Sequence, residues 1–221
     1  MLGLNKFLFH SAASGRLPDD VRAGLAAWRD STAPSLDEAH FQTRYLVVDI
    51  QSAGGEPKNG RLLGIAASAV RHSAIAPDAT LYVDLDDSAP AQGALERRLL
   101  AFLQYAAKAP LVTYHVPYVS GYLLRTYKER LGINFQPQWI DLAWLLPAMF
   151  GDKESSLQPL DHWLKNFALD TGSGRRNAME NALLLARLLQ MLLLRASAKN
   201  IDTAAQLIAE SHASSLLRRL G

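Results

Sequence analysis

The sequence predicts an α/β protein with a mixed β-sheet flanked by helices, and two observations lead to this fold class. Three strand-like segments, residues 45–50, 61–70 and 80–85, follow one another through short links, which favours antiparallel neighbours. A fourth strand, residues 111–114, comes after a helix over residues 91–107, so we expect it to run parallel to the first. The rest of the chain has helical periodicity, and this order of elements is typical of one mixed sheet with helices packed on it.

The two ends of the chain are predicted to be helical additions to a central domain. A Pro-Asp-Asp helix start precedes an apolar stripe of Val21, Leu25 and Trp28 at helical spacing. We therefore predict a helical N-terminal extension over residues 1–40 and a central domain over residues 41–196. Further helices are expected over residues 118–131, 141–149, 160–167 and 177–196. A C-terminal helix within residues 197–221 is expected to pack on the domain.

Composition limits the chemistry and the location. The 221 residues include no cysteine, which excludes disulfides, thiolate metal sites and cysteine nucleophiles. The formal charge of +2 permits nucleic-acid binding but does not argue for it. The most apolar segment, residues 182–194, contains Arg187 and Gln190 and is shorter than the roughly 20 residues of a membrane span. We expect no membrane partner and a cytoplasmic location.

The end of the first strand is the most informative stretch for function. An apolar run from Tyr45 to Val48 delivers Asp49 and Gln51, and the chain then enters a turn of small residues. Because side chains alternate along a strand, Asp49 and Gln51 share one face. Two oxygen-bearing side chains at this spacing are a common start of a metal site, although a turn or helix cap is the alternative for Asp49.

Four segments carry a family resemblance that covers residues 41–194. They are Tyr45-Leu-Val-Val-Asp-Ile-Gln51, Arg61-Leu-Leu-Gly-Ile-Ala-Ala-Ser-Ala-Val70, Val112-Thr-Tyr-His-Val-Pro-Tyr-Val-Ser-Gly-Tyr-Leu123 and Arg176-Asn-Ala-Met-Glu-Asn-Ala182. In order and spacing they resemble the first motif, the second strand, the second motif and the third motif of the DnaQ-like (DEDD) 3′–5′ exonucleases, in the histidine-type branch. The resemblance implies a ribonuclease H-like fold.

The resemblance also implies that the catalytic motifs are degenerate. In this family four carboxylates hold two divalent metal ions, and a histidine acts as general base. The first carboxylate position falls on Asp49, which is kept. The other three fall on Gln51, Val119 and Asn181, and the histidine position falls on Arg176. Neutral amides and valine do not replace anionic ligands, and arginine stays protonated at physiological pH.

We therefore interpret the chain as a pseudo-exonuclease. Asp49 would be a vestigial metal ligand and an ion-pair partner of Arg176. No cofactor is expected, and Mg²⁺ or Mn²⁺ would matter only if residual activity survives.

Other polar residues near the motifs are interpreted as structural. Asp141 opens a predicted helix and is expected to be its N-cap, and His115 is expected to be packed or to cap a turn. Asp161 and His162 are interpreted as surface or capping residues. Glu180 lies about 100° round the helix from its neighbour and should face elsewhere.

Three roles remain open from the sequence. A nucleic-acid-binding or regulatory module would use Tyr118, Tyr122, Arg175 and Arg176 on a single strand, because cations contact phosphates and aromatic rings stack on bases. A protein-interaction or structural subunit is the second, with a homodimer through the leucine-rich residues 182–194. A weak residual exonuclease that holds one ion at Asp49 is the third.

Overall fold

The chain folds around a five-stranded mixed sheet flanked by helices. A computed structural model describes residues 17–86, 90–153, 155–169, 172 and 176–220. The strands are β1 Tyr45–Ala53, β2 Arg61–Arg71, β3 Ala74–Asp84, β4 Leu111–Thr113 and β5 Trp139–Asp141. The helices are α1 Asp19–Asp30, α2 Ala94–Ala106, α3 Val116–Leu131, α4 Leu142–Met149, α5 Leu160–Asn166, α6 Ala178–Ser197 and α7 Ala204–Leu220. The α/β fold class is thereby confirmed.

The sheet has the strand order β3-β2-β1-β4-β5. The first three strands pair antiparallel, and β1, β4 and β5 run parallel. The predicted parallel pairing of the fourth strand with the first is therefore confirmed. This arrangement places β1 at the centre of the sheet, with the carboxyl end of β4 beside it.

Two features of the sheet were not predicted. Strand β5 is only three residues long, too short to give an alternating pattern, and it is held by its parallel pairing with β4. Strand β3 begins at Ala74 rather than at residue 80, because β2 and β3 are joined by a tight hairpin. His72 and Ser73 adopt positive φ angles of 52° and 58° in this turn. Hairpin turns of this kind favour Gly or Asn, so a His-Ser pair does not predict a turn at this position.

The two faces of the sheet belong to two different hydrophobic clusters. Leu46, Val48 and Ile50 of β1 point to the face covered by α1, α2 and α3. Tyr45 and Val47 point to the face covered by α4, α6 and α7. The alternation along β1 assigns Asp49 to this second face, near its end.

The N- and C-terminal segments pack against the central domain and meet each other. Helix α1 is anchored on α2 by buried Val21 and Leu25. The buried His40 ring bonds the Tyr45 hydroxyl at 2.6 Å and the Ile201 carbonyl at 2.9 Å. Helix α7 packs on α4 and β5. Residues 1–16 of the predicted N-terminal extension lie outside the described residues.

The leucine-rich segment of α6 is used mainly inside the chain. Most of its leucines are buried against the sheet and the neighbouring helices, and Leu194, at 75% exposure, is the main exception. Internal packing thus accounts for the apolar character that suggested a homodimer, which stays a prediction. Among the described residues, no helix is long and apolar enough to cross a membrane.

Candidate functional site at the end of strand β1

Helix α6 approaches Asp49 closely because the residues between helix and sheet are small. Asp49 pairs across the ladder with Ala66 of β2, and Ala66 packs against Ala178 and Ala182 of α6. The first turn of α6 is held by a capping box, in which the Asn177 side chain accepts a bond from the backbone N–H of the third helical residue. The carboxylate that completes this box belongs to Glu180. It binds the Asn177 N–H at 2.9 Å and is therefore directed away from Asp49, as predicted.

A continuous chain of polar contacts runs from the protein surface to Asp49. Asn181 Nδ2 donates to Asp49 Oδ2 at 3.0 Å, and Arg176 Nε donates to Asn181 Oδ1 at 2.9 Å. Arg176 also forms an ion pair with Asp161 of α5. Since an arginine only donates and an ionised carboxylate only accepts, this chain orients the Asn181 amide with its oxygen turned away from Asp49.

The predicted direct ion pair between Arg176 and Asp49 is therefore wrong. Arg176 reaches Asp49 through the Asn181 amide, and its described ion-pair partner is Asp161. Asp161 is 75% exposed, as a surface residue should be, but it also holds the Arg176 guanidinium in place. The sequence contains no indication of this partner. Asp161 and Arg176 are separated by a segment whose residues show no hydrophobic periodicity from which their contact could be predicted.

Burial raises the pKa of Asp49 from its usual value to about 6. The hydrogen bond from Asn181 and the positive charge of Arg176 act in the opposite direction but are weaker. Near neutral pH, the carboxylate therefore carries an energetic cost that its neighbours only partly offset. An ionised Asp49 is the single negative charge that the four family ligand positions supply.

Gln51 has a different partner from the one that its family position implies. Its side chain is exposed, and its Oε1 accepts a hydrogen bond from the Tyr82 hydroxyl at 3.0 Å. Tyr82 was not singled out in the sequence. The sheet register brings Tyr82 near the end of β1, because Tyr82 pairs with Ala66 of β2 and Ala66 pairs with Asp49 of β1.

Val119, on which the resemblance places the second-motif carboxylate, is part of the hydrophobic core. Val119 is 1% exposed and belongs to the cluster that contains Val48 and Ile50, the neighbours of Asp49 that point to the other face. The tyrosines around it bind the end of β1 and the turn that follows. The Tyr118 hydroxyl bonds Ser52 Oγ at 2.8 Å, and the Tyr122 hydroxyl donates to the Gly54 carbonyl at 2.8 Å.

These contacts bear on the predicted nucleic-acid-binding residues. Tyr122 is 0% exposed, so it has no free ring face for a base, which argues against its predicted role. Tyr118 is half-buried with its hydroxyl bonded to Ser52, and Arg176 is engaged by Asp161 and Asn181. Arg175 lies outside the described residues.

Asp141 is a structural carboxylate, and its predicted role as an N-cap is confirmed. It is 4% exposed and accepts bonds from the backbone N–H groups of Ala143 in α4 at 3.0 Å and of His115 and Val116 at the start of α3. Burial raises its pKa, and the backbone bonds oppose the rise. His115 was expected to be packed or to cap the turn. It is instead exposed at a left-handed position, and its side chain makes no capping bond.

The residues present do not fit a pair of divalent metal ions. Within the described ranges, no group of three or more His, Asp or Glu side chains is placed to hold a metal. Asn181 presents its amide nitrogen to Asp49, Gln51 accepts from Tyr82, and Val119 is in the core. Hard cations such as Mg²⁺ are bound by oxygen ligands that include carboxylates, and of the four positions that the resemblance implies, Asp49 alone carries one.

Comparison with known proteins shows the fold. The sequence matches no protein-family model and no curated protein. Among solved structures, it resembles cell-death related nuclease 4 (CRN-4), with a TM-score of 0.52 and 15% identity over 71% of this chain. It also resembles E. coli Exonuclease I in complex with a dT13 oligonucleotide, with a TM-score of 0.50 and 14% identity over 71% of this chain.

The chain spans 66% of the CRN-4 chain and 42% of the Exonuclease I chain. Together with the strand order β3-β2-β1-β4-β5, these similarities define a ribonuclease H-like fold. At these identities they establish the fold and no more.

Proposed function

We propose that this protein is an exonuclease-like protein that has lost metal-dependent hydrolysis and acts as a nucleic-acid-binding or regulatory module. The chain Asp161–Arg176–Asn181–Asp49 is the observation that carries the proposal. It directs an amide N–H₂ group at the one retained carboxylate, where a metal ion would need oxygen.

Charge supports the same conclusion. Two divalent ions are balanced by four carboxylates in the family that the motifs resemble, whereas Asp49 supplies a single negative charge here. Arg176 brings one positive charge to the same group of side chains, and it lowers rather than raises the need for a cation. Arginine is also protonated throughout the physiological range, so it cannot take a proton from an attacking water.

Single-stranded nucleic acid is the ligand class that the fold favours. Exonuclease I, whose fold this chain resembles, was captured with a dT13 oligonucleotide. Binding of a strand needs a groove, cations and stacking surfaces, and it does not need the metal pair that hydrolysis requires. Metal-free binding is therefore the property that separates this proposal from a working exonuclease.

The test measures hydrolysis and binding on the same material. A 3′-labelled single-stranded oligonucleotide should stay intact with Mg²⁺ or Mn²⁺, and its affinity at low salt should be the same in EDTA. Cleavage in Mn²⁺ that is abolished by Asp49→Ala would contradict the loss of catalysis and revive a weak residual exonuclease. An absence of binding to both DNA and RNA strands would contradict the binding role.

A structural or protein-interaction role is the second candidate, and it rests on Leu194. This side chain is 75% exposed at the end of a helix that is otherwise well buried. Light scattering decides the homodimer version, because a strict monomer at high concentration would exclude it. A dimer that is lost in Leu194→Lys and kept in Leu157→Lys, a second exposed leucine, would support it.

A further inference from the structure

Tyr82 presents an aromatic ring on the same sheet face as Asp49. Its side chain is 45% exposed, and it lies near the end of the long strand β3. Tyr82 is opposite Ala66, and Ala66 is opposite Asp49, so the three residues form one row across β3, β2 and β1. With strands about 4.8 Å apart, the Tyr82 and Asp49 backbones are separated by about 10 Å.

Glycine at position 64 allows the ring to lie across the sheet. Gly64 is opposite Gln51 on one side and Asp84 on the other. A Cβ atom at Gly64 would lie 2.8 Å from Cζ of Tyr82, closer than real Cβ contacts come. The missing side chain therefore lets the ring lean diagonally over β2 towards β1. No other residue type fits beneath the ring without moving it.

Gln51 completes the fixation of the ring. Its Oε1 accepts a hydrogen bond from the Tyr82 hydroxyl, with 3.0 Å between the two oxygens, at the far end of this diagonal. Burial and the nearby charges of Asp84 and Asp86 raise the pKa of Tyr82, so the phenol remains a donor. An aromatic side chain fixed at both ends loses little conformational entropy when a ligand packs on it.

The described charges near Tyr82 occur in oppositely charged groups. Asp86 forms an ion pair with Arg61 at 2.8 Å, and Arg98 donates to the main-chain carbonyl of Asp84 at 3.1 Å. Among the described residues at this end of β3, the carboxylates of Asp84 and Asp86 thus lie beside the guanidinium groups of Arg61 and Arg98. A balanced surface neither attracts a cationic partner strongly nor repels a phosphate backbone. The exposed face of the ring is its main recognition feature.

We infer that Tyr82 is a stacking platform for an unpaired base of a single strand that crosses the sheet face beside Asp49. This inference rests on the proposed nucleic-acid-binding function and adds its first contact residue. It also gives Gln51 a present role as a positioning residue, which orients the platform through the Tyr82 hydroxyl. Stacking recognises any base by its π-face, so the site should tolerate different sequences.

The experiment compares Tyr82→Ala with wild type in anisotropy titrations at low salt. The ligands are a labelled single-stranded oligonucleotide and an abasic strand of equal length. Loss of one stacking contact should weaken binding of the base-bearing strand roughly ten-fold. Wild type and Tyr82→Ala should bind the abasic strand equally. Tyr82→Trp, which keeps an aromatic face, should retain most of the affinity.

Phe41→Ala is the matched control. Phe41 is 59% exposed and stacks on His72, beyond the opposite end of β1 from Asp49. Its loss should leave both affinities unchanged. Tyr82→Phe keeps the ring and removes the bond to Gln51, so it should lie between wild type and Tyr82→Ala. Melting curves of each variant check that the fold is intact.

The outcomes separate the inference from the proposed function. If wild type binds the base-bearing strand and Tyr82→Ala binds it equally well, the platform is wrong and the binding function stands. If wild type binds neither strand, the binding function itself fails. If Tyr82→Ala instead abolishes binding of an arginine-rich peptide and leaves strand binding intact, the ring is a protein-docking residue and its assignment to bases is overturned.

Discussion

The two sides of the Asp49 group differ in different ways from the motifs that the sequence resembles. On the α6 side, Asn181 stands where those motifs have a carboxylate, and its amide, which has the same shape, points at Asp49. On the α3 side, Val119 is sealed into the core of the opposite face, and the neighbouring tyrosines bind the end of β1 and its turn. One side keeps a polar contact at this location, and the other has joined the hydrophobic interior.

The difference shows that a polar and an apolar residue at such positions have different structural consequences. A polar replacement of the same shape keeps the geometry and changes only the charge, so it is reversible in principle. An apolar replacement allows the surroundings to repack, and the original residue then no longer fits. The predictions below test whether the two sides behave in these two ways.

Val119→Asp should have the largest effect. The substitution buries a carboxylate in an apolar cluster without a partner, which we expect to destabilise the protein by about 4 kcal/mol. Urea denaturation measures the change, with Val119→Ala as the control for lost volume. A stability close to that of wild type, together with new Mn²⁺ binding, would show that the α3 side still opens towards Asp49.

Asp141→Ala should be nearly as severe. Its carboxylate accepts three backbone N–H groups at the starts of α3 and α4, and all three would be left without this acceptor. We expect a loss of about 3 kcal/mol. Asp141→Asn keeps part of the acceptor capacity and should lose less. Equal stability of the two variants would mean that the bonds contribute little to holding α3 in place.

Asp49→Asn should make the protein more stable at high pH. Because the pKa of Asp49 is about 6 when folded and 3.8 in the reference state, the folded chain holds the proton more tightly. Stability therefore falls as pH rises from about 4 to about 6 and the deficit then persists. Removing the charge should add about 3 kcal/mol at pH 8 and much less at pH 4. Denaturation midpoints across this range measure it, and a gain that does not depend on pH would contradict the raised pKa.

Asn181→Asp tests the α6 side, where a change of charge should leave the geometry intact. The new carboxylate stands where the amide donor to Asp49 was, while Arg176 remains beside it as a counter-charge. We expect a loss of about 1 kcal/mol at pH 8 that shrinks as the pair takes up a proton at lower pH. Far-UV circular dichroism should be unchanged. A loss as large as that of Val119→Asp would remove the contrast between the two sides.

Gln51→Glu should have the smallest effect. Gln51 is exposed, and a glutamate can accept the Tyr82 hydroxyl proton as the amide oxygen does. The change in stability should stay within about 0.5 kcal/mol. A melting temperature equal to that of wild type is the expected result. A large loss would mean that Gln51 makes further contacts on which the sheet depends.

The sequence predicted β1 and β2 well because these two strands are long and apolar. Residues 45–50 and 61–70 are almost continuously buried, and short links made their antiparallel pairing the natural choice. Strand β5 was missed because three residues carry no period, and it exists only through pairing with β4. Long elements can be predicted from their local hydrophobic pattern, whereas a short strand such as β5 forms through its tertiary contacts.

The residues of the candidate site could be predicted from the sequence, but the contacts between them and their partners could not. Motif spacing located Asp49, Gln51, Asn181 and Arg176, and these residues do meet or lie close together at the end of β1. The partners Asp161 and Tyr82 come from distant parts of the chain. The position of Tyr82 opposite Ala66 depends on the β2–β3 register. That register could not be predicted because the turn between the two strands contains no glycine. Contacts of this kind follow from the folded sheet rather than from any local motif.

The central claim is that Asp49 and its neighbours no longer bind a metal pair, and a calorimetric titration of wild type with Mn²⁺ tests it most directly. At about pH 8 Asp49 is ionised, which is the most favourable condition for binding. We predict no saturable heat up to low millimolar Mn²⁺, and the same trace for Asp49→Ala. Saturable binding of two ions per chain that Asp49→Ala abolishes would contradict the account.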